Sequence, residues 1–156
     1  AEQLTEIAIS SARVVRLFGF DPKVAFVSHS TFGQPATDST KHIRDAVEIL
    51  QDKKVDFQFD GDMQPDVALN EEYKELYSFS GIVGNANILI MPGQHSAAIS
   101  YKMMKSLGGA KVIGPLLIGL GQPIEIAPLR SSTSDILNLA SIAAYSAGVI
   151  NYNKKN

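Results

Sequence analysis

The sequence predicts an α/β fold of three layers, in which helices cover both faces of a mostly parallel sheet. Two observations support this fold class. Short apolar runs alternate with amphipathic segments along most of the chain, and glycine and proline separate these segments. Alternating strands and helices are typical of parallel sheets whose strands are joined by helical crossovers. The chain has 156 residues, enough for one domain with a core and too few for two ordinary domains.

The first third of the chain predicts a helix, a strand and a second helix. Apolar residues recur every three or four positions across 2–18, the spacing of an amphipathic helix. The apolar run 24–27 predicts a buried strand, and the polar segment 28–35 predicts a loop at its end. A second helix is expected over 39–53, with its apolar residues on one face.

The middle of the chain predicts two more strands, each followed by a helix. Apolar and polar residues alternate over 55–59, as in a half-exposed strand that Asp60-Gly61-Asp62 would end. A helix is expected over 67–76, a strand over 87–91 and a helix over 96–107. Gly108 and Gly109 would stop the last of these.

The last third predicts two short strands and a closing helix. The apolar stretch 111–120 predicts a strand interrupted at Gly114-Pro115, and 124–127 predicts another. The hydroxyl-rich segment 131–135 is typical of the residues that cap a helix amino terminus. The helix that follows carries many alanines, which would allow another helix to approach closely, either in a fuller protein or across a dimer.

Composition and charge exclude several classes of protein. Lys and Arg number 14 against 16 Asp and Glu, a formal charge of −2, so the basic excess of a nucleic-acid-binding protein is missing. The lack of cysteine excludes disulfides and thiolate metal sites. No apolar run reaches the roughly 18 residues that cross a bilayer, and no signal peptide is visible, so we expect a cytoplasmic protein.

The domain boundaries follow from the same patterns. We expect one domain over 1–150 and a disordered tail over 151–156. The chain opens on Ala1 inside a helical pattern, so we expect either a processed amino terminus or, in preference, a piece of a longer polypeptide.

The most informative polar residues follow the predicted strands, where ligands bind in open α/β sheets. Ser28, Ser30 and Thr31 come directly after the first strand. Their hydroxyls suit contacts with phosphate or carbonyl oxygens, although a plain turn would use the same residue types. A serine triad is not indicated, because neighbours in one loop do not supply an oriented base.

Other candidate groups have simpler structural explanations. Asp60, Asp62 and Asp66 could bind Mg²⁺, but Gly61 and Pro65 around them favour tight turns and helix caps. His42 and His95 have no partner at metal-ligand spacing, so no metal site is predicted. The 131–135 segment could hold an anion at a helix amino terminus, or only cap the helix.

Several motifs together resemble the phosphate acetyltransferase (phosphotransacetylase) family, and the resemblance covers nearly the whole chain. Each motif is weak alone, but their order and spacing are fairly specific. The motifs are Pro22–Ser30, Asp60–Ala68, Tyr101-Lys102, and Ile113–Leu120 with Pro123.

The resemblance implies a fold and an activity. Family enzymes have two α/β lobes with an acyl-CoA cleft between them, and they transfer an acetyl group between CoA and phosphate. This chain corresponds to the C-terminal half, mainly one lobe. It departs from the family at a Ser-Arg-Gly segment, where it carries Pro128-Leu129-Arg130, while Asp135 matches the catalytic aspartate.

Within the family, the segment Gly61–Asn70 is most similar to the C-terminal domain of large bacterial NADP-dependent malic enzymes. That resemblance implies a non-catalytic domain that binds acetyl-CoA or CoA as an effector, self-associates and joins the rest of a longer polypeptide. NADP and a divalent metal would then bind only to domains outside this chain, which itself needs no cofactor. The expected acetyl-CoA contacts are Ser28, Ser30, Thr31, Tyr101, Lys102, Arg130 and Asp135.

Two alternatives remain open. One is an active phosphate acetyltransferase, in which Arg130 and Asp135 still perform catalysis. The other is an assembly module that binds no ligand and dimerises through its alanine-rich helix. Neither nucleic acid nor a membrane is an expected partner.

Overall fold

The computed structural model describes residues 1–109 and 111–155. The chain divides into two compact units, one from Ala1 through Tyr101 and one beginning at Lys102. The single domain that the sequence analysis expects over 1–150 stays a prediction. The helices are, in chain order, α1 (Glu2–Leu17), α2 (Lys41–Lys53), α3 (Pro65–Leu69), α4 (Glu71–Lys74), α5 (Gln94–Leu107) and α6 (Thr133–Lys155).

A parallel sheet of three strands forms the centre of the first unit. β1 (Lys23–Val27) lies in the middle, between β2 (Gln58–Met63) and β3 (Ile88–Ile90). Val24 of β1 pairs with Phe59 of β2 and Ile88 of β3. Because the strands run in the same direction, their carboxyl ends meet at one edge of the sheet, as predicted.

One face of the sheet is covered by α1 and α2. Val24 and Phe26 point to this face and are fully buried, packed in one cluster with apolar residues of both helices. Leu50 of α2 is also fully buried. Burial of such side chains contributes about 1.5–3 kcal/mol each, so this cluster anchors β1 in its place.

The opposite face is covered by α3 and by the loop that leads to β3. Ala25 of β1 packs there with Met63, Val67 of α3 and Ile82 of the loop. Neighbouring residues of β1 thus point to opposite faces, as the pleat of a strand requires. Together with the first face, this arrangement gives the predicted three-layer α/β architecture.

Both ends of β2 lie further along the chain than the alternation of apolar and polar residues predicted. The sequence analysis placed a strand over 55–59 and ended it at Asp60, but the strand spans Gln58–Met63 and includes Asp60-Gly61-Asp62. Gly61 lies at φ +153°, where a Cβ would stand 2.7 Å from Cβ of Phe26. The two aspartates are tolerated in the strand because their carboxylates find hydrogen-bond donors in the protein.

In the second unit, the strands predicted over 111–120 and 124–127 do not form in the described residues. A single antiparallel bridge joins Leu116 and Glu125, and Ile118 and Ile126 are exposed. A strand needs neighbouring strands to take up its backbone groups, and one isolated pair is marginal.

α6 follows this segment and continues to Lys155. It therefore includes 151–155 of the segment that we expected to be a disordered tail, and Asn156 lies outside the described residues. α6 has 23 residues, yet no helix in the described part of the chain is both long and apolar enough to cross a bilayer.

Candidate functional site

The loop after β1 carries the first group of predicted site residues. Ser28, Ser30 and Thr31 lie at the carboxyl edge of the sheet, and all three are buried. The backbone N–H of Ser28 donates to the carbonyl of Met63 at 2.9 Å, which extends the parallel ladder by one residue. The structure thus brings these three residues together, as the strand-end argument predicted.

Asp62 of β2 holds this loop in place. Its side chain is fully buried; Oδ2 accepts a hydrogen bond from Ser30 Oγ, and Oδ1 accepts one from the N–H of Gly33 at 2.9 Å. Its carbonyl also accepts the N–H of Phe32 at 2.6 Å. One aspartate therefore fixes three positions of the loop through both its side chain and its backbone.

The charge of Asp62 is partnered by Arg44 of α2. Arg44 Nη1 lies 3.8 Å from Asp62 Oδ2 and donates to Thr40 Oγ1 at 2.6 Å. The arginine side chain is 34% exposed while the aspartate is 0% exposed. The ion pair thus links the buried loop anchor to the beginning of α2.

Two further contacts complete the loop. Thr31 Oγ1 accepts the N–H of Gln64 at 3.2 Å, and Gln64 Nε2 donates to the carbonyl of His29 at 2.9 Å. An edge-to-face contact supports the far end of the loop, where the ring centroid of Phe32 lies 4.8 Å from that of Phe79. The loop is therefore held by contacts along its length, and a pre-formed surface of this kind suits ligand binding.

An open cavity of about 440 Å³ lies next to this loop, within the first unit. Much of its wall is apolar, with Ile43 of α2 and Met91 and Pro92 after β3. Its polar lining consists of Ser28, His29, Ser39, Thr40 and Ser96. The volume lies within the range of about 300–1,000 Å³ that small-molecule sites occupy.

The second unit contains a smaller cavity of about 70 Å³, beside the amino terminus of α6. Arg130 and Asp135 both line it, together with Lys105 and Leu139. The structure thus brings together the two residues that the family resemblance associated with catalysis.

Asp135 also takes part in the amino-terminal cap of α6, as the third helical residue that bonds back to the cap residue Ser132. Its Oδ2 accepts the N–H of Ser132 at 2.9 Å and the hydroxyl of Ser132 at 2.8 Å. In return, Ser132 Oγ accepts the N–H of Asp135 at 3.2 Å. This reciprocal arrangement is a capping box, so the capping role expected for 131–135 is present.

The hydrogen bonds from Ser132 lower the pKa of Asp135 below its usual value of 3.8, and the positive charges of Lys105 and Lys111 lower this pKa further. Lys111 Nζ also donates to Ser134 Oγ at 2.8 Å. The surroundings of Asp135 therefore favour the ionised form of its carboxyl group.

The remaining candidates are not among the described residues that line these two cavities. On α5, Tyr101 is half-buried and Lys102 is exposed. Asp60 accepts the backbone N–H of Gly81 at 2.7 Å, and Asp66 that of Val67 at 3.0 Å. Across the described residues, no group of three His, Asp or Glu side chains is arranged to hold a metal ion.

Sequence reasoning missed two residues that organise the first site. Asp62 was interpreted as a turn-forming aspartate, and Arg44 was not singled out at all. Their pairing joins residues 18 positions apart on different elements, which no local pattern contains. The position of Asp62 near the end of β2 is the one signal that could have marked it.

Comparison with known proteins identifies relatives over most of the chain. The family model described as phosphate acetyl/butaryl transferase matches residues 1–144. The NADP-dependent malic enzyme of Rhizobium meliloti (strain 1021) is 47% identical over 95% of this chain, which covers 19% of that protein. The phosphate acetyltransferase of Bacillus subtilis (strain 168) is 35% identical over 94% of this chain, which covers 46% of that enzyme.

Solved structures agree with these matches. A phosphotransacetylase from Streptococcus pyogenes superimposes with a TM-score of 0.86 at 36% identity, over 92% of this chain and 44% of its own. The EutD phosphotransacetylase from Staphylococcus aureus gives a TM-score of 0.84 at 33% identity, over 92% and 45% respectively. The chain therefore spans about a fifth of the malic enzymes and under half of the transacetylases that it matches.

Proposed function

The chain belongs to the phosphate acetyl/butaryl transferase family, and from this membership we propose that it is a regulatory domain that binds acetyl-CoA without catalysing acetyl transfer. Its parent would be an NADP-dependent malic enzyme, with malate decarboxylation, NADP and the divalent metal on other domains. The observation that carries the proposal is the 47% identity to a malic enzyme, against 35% to a transacetylase, over nearly the same residues.

The segment before α6 supports the absence of catalysis. The serine and arginine of the family's Ser-Arg-Gly segment are replaced by Pro128 and Leu129, which can neither donate a side-chain hydrogen bond nor carry charge. Leu129 is also fully exposed. Acyl transfer needs a fixed positive charge or hydrogen-bond donors where negative charge develops. The side chains of Pro128 and Leu129 supply neither.

The condition of Asp135 supports the same conclusion. A base for the thiol of CoA works best with a pKa near the pH at which the enzyme operates. The capping bonds from Ser132 lower the pKa of Asp135 below 3.8, away from that range. We therefore assign Asp135 a structural role in the cap of α6 and no role in proton transfer.

Arg130 remains a group that suits the phosphates of acetyl-CoA. Its guanidinium can form two parallel hydrogen bonds with a phosphate, and it lines the cavity of the second unit. Lys102 is an exposed cation that could contribute in the same way. An effector acts only if it binds two states of the parent enzyme differently, and typical couplings are about 1–3 kcal/mol.

The test compares Arg130→Ala with a matched control, Arg13→Ala, which removes an exposed cation from α1. We expect Arg130→Ala to weaken acetyl-CoA binding about tenfold or more, while Arg13→Ala leaves it unchanged. Circular dichroism of both variants would verify that the fold is intact. Equal affinities for both variants and the natural chain would remove Arg130 from the site.

Self-association is the second part of the proposal. Leu137 of α6 is 65% exposed and Tyr145 is 56% exposed, so α6 presents large apolar side chains to solvent. Contact with another protein surface would bury such groups. If the chain is only an assembly module, its mass in solution will exceed that of one chain and acetyl-CoA will not bind.

A further inference from the structure

The hydroxyl groups of Ser28 and Ser30 form a chain of hydrogen bonds with one fixed direction. Ser30 Oγ donates its only proton to the carboxylate of Asp62, which as an ionised group can only accept. The 3.3 Å contact between the two serine hydroxyls must therefore take its proton from Ser28. Ser28 Oγ also accepts the N–H of Ser30 at 3.3 Å. Ser28 Oγ therefore has one unused lone pair, which can accept a hydrogen bond from a ligand.

Two more hydroxyls line the 440 Å³ cavity. Ser96 Oγ donates its only proton to the carbonyl of Gly93 at 2.8 Å, so it meets a ligand as an acceptor. Thr40 Oγ1 donates to the carbonyl of Thr37 at 3.0 Å, accepts from Arg44 and lies 3.4 Å from Thr37 Oγ1. Its proton and both lone pairs therefore already have partners within the protein.

The rest of the wall does not supply what an anion needs. Val27, Ile43, Met91 and Pro92 are apolar, and no Lys or Arg is among the described residues that line the cavity. His29 and Ser39 lie exposed at its rim. A phosphate requires several hydrogen-bond donors or a positive charge, whereas this cavity offers hydrogen-bond acceptors surrounded by apolar side chains.

We propose that this cavity binds an uncharged, amide-bearing chain, namely the pantetheine arm of an acyl-CoA, and not a phosphate group. This inference rests on the proposed function and assigns one part of its ligand. The amide N–H groups of the arm donate to Ser28 and Ser96, and its methylene and methyl groups pack on the apolar wall. The phosphates of the same ligand bind elsewhere.

Asp62 is then a positioning residue, because it sets the direction of the hydroxyl chain. In Asp62→Asn, the amide oxygen can still accept from Gly33, and the amide nitrogen faces Ser30 Oγ as a donor. Ser30 then donates to Ser28, which frees the proton of Ser28 for the cavity. In the variant, the Ser28 hydroxyl should therefore present a donor to the cavity in place of an acceptor, without moving. Loosening of the loop alone would not produce this change.

The experiment follows backbone amide NMR signals of the 156-residue chain during separate titrations with pantetheine, inorganic phosphate and acetyl-CoA. We expect pantetheine and acetyl-CoA to shift the signals of Val27, Ser28 and Ser96, and phosphate to leave them unchanged. Ser96→Ala, which removes one acceptor, should weaken pantetheine binding about three- to tenfold. Asp62→Asn should weaken pantetheine binding, because Ser28 then presents a donor in place of an acceptor, while the control Asp52→Asn at an exposed position of α2 leaves pantetheine binding unchanged.

The outcomes separate this inference from the proposed function. If acetyl-CoA binds but the cavity responds to phosphate and not to pantetheine, the inference is wrong and the function stands. If pantetheine shifts the cavity signals but acetyl-CoA does not bind, the cavity assignment stands and the function fails. If nothing binds, both are overturned. Should Asp62→Asn not fold, Ser96→Ala still decides the point.

Discussion

Ser132 and Asp135 cap the first turn of α6 reciprocally, with Ser132 N–H 2.9 Å from Asp135 Oδ2 and Asp135 N–H 3.2 Å from Ser132 Oγ. Asp135, which the sequence analysis matched to the family's catalytic aspartate, thus has a structural role in this chain. The hydrogen bonds fit a helix cap better than a general base. The stability that this cap contributes should depend on pH.

The first prediction concerns Asp135→Asn. Hydrogen bonds from Ser132 lower the pKa of Asp135 in the folded protein below 3.8. A carboxyl whose pKa is lowered on folding adds stability above its unfolded pKa, and this contribution disappears as the pH falls through the folded pKa. Asp135→Asn should therefore lower the stability of the second unit at pH 7, and the difference should shrink below about pH 4.

Thermal unfolding of both proteins, followed by helical circular dichroism between pH 3 and 7, measures this difference. A constant difference over the whole range would mean that the charge of Asp135 does not contribute to the cap.

The second prediction concerns the buried anchor. Asp62→Ala leaves the hydroxyl of Ser30 and the N–H of Gly33 without their acceptors, and it leaves Arg44 without its partner. We expect a loss of about 3 kcal/mol or more in the free energy of unfolding. Urea unfolding gives this value, and Asp52→Ala at an exposed position of α2 is the control. A loss under about 1 kcal/mol would show that water or another group replaces the carboxylate.

The third prediction concerns the contact between Gly61 and β1. A Cβ at Gly61 would stand 2.7 Å from Phe26 Cβ and 2.8 Å from the Phe26 carbonyl oxygen, at φ +153°. Gly61→Ala should therefore separate β2 from β1 and cost about 1–3 kcal/mol in backbone strain alone. Gly93→Ala is the matched control, because nothing lies within 4 Å of its Cβ position. Equal melting temperatures for the two variants would contradict the expected clash.

The elements with strong local signals were predictable from the sequence. The apolar spacing of α1 and α2, and the continuous apolar run of β1, identify these elements and the edge where the loop after β1 lies. Helix periodicity and short apolar runs are properties of neighbouring residues, so one sequence suffices to detect them.

Features that depend on distant partners were not predictable. β2 extends through Asp60 and Asp62 because Gly81 N–H, Ser30 and Gly33 satisfy the two carboxylates. These partners lie 21 to 32 positions away along the chain. Conversely, the segment 111–127 has the composition of strands but no sheet to join in the described residues. Whether a segment forms a strand depends on the neighbouring strands available to pair with it as much as on its own sequence.

The central claim is that the chain binds acetyl-CoA without turning it over. Calorimetric titration of acetyl-CoA into the 156-residue chain, with an assay for acetyl phosphate formation on the same sample, tests it most directly. The proposal predicts saturable heat of binding and no acetyl phosphate above a blank without protein. Formation of acetyl phosphate that Asp135→Asn abolishes would contradict it and identify the chain as a working phosphate acetyltransferase.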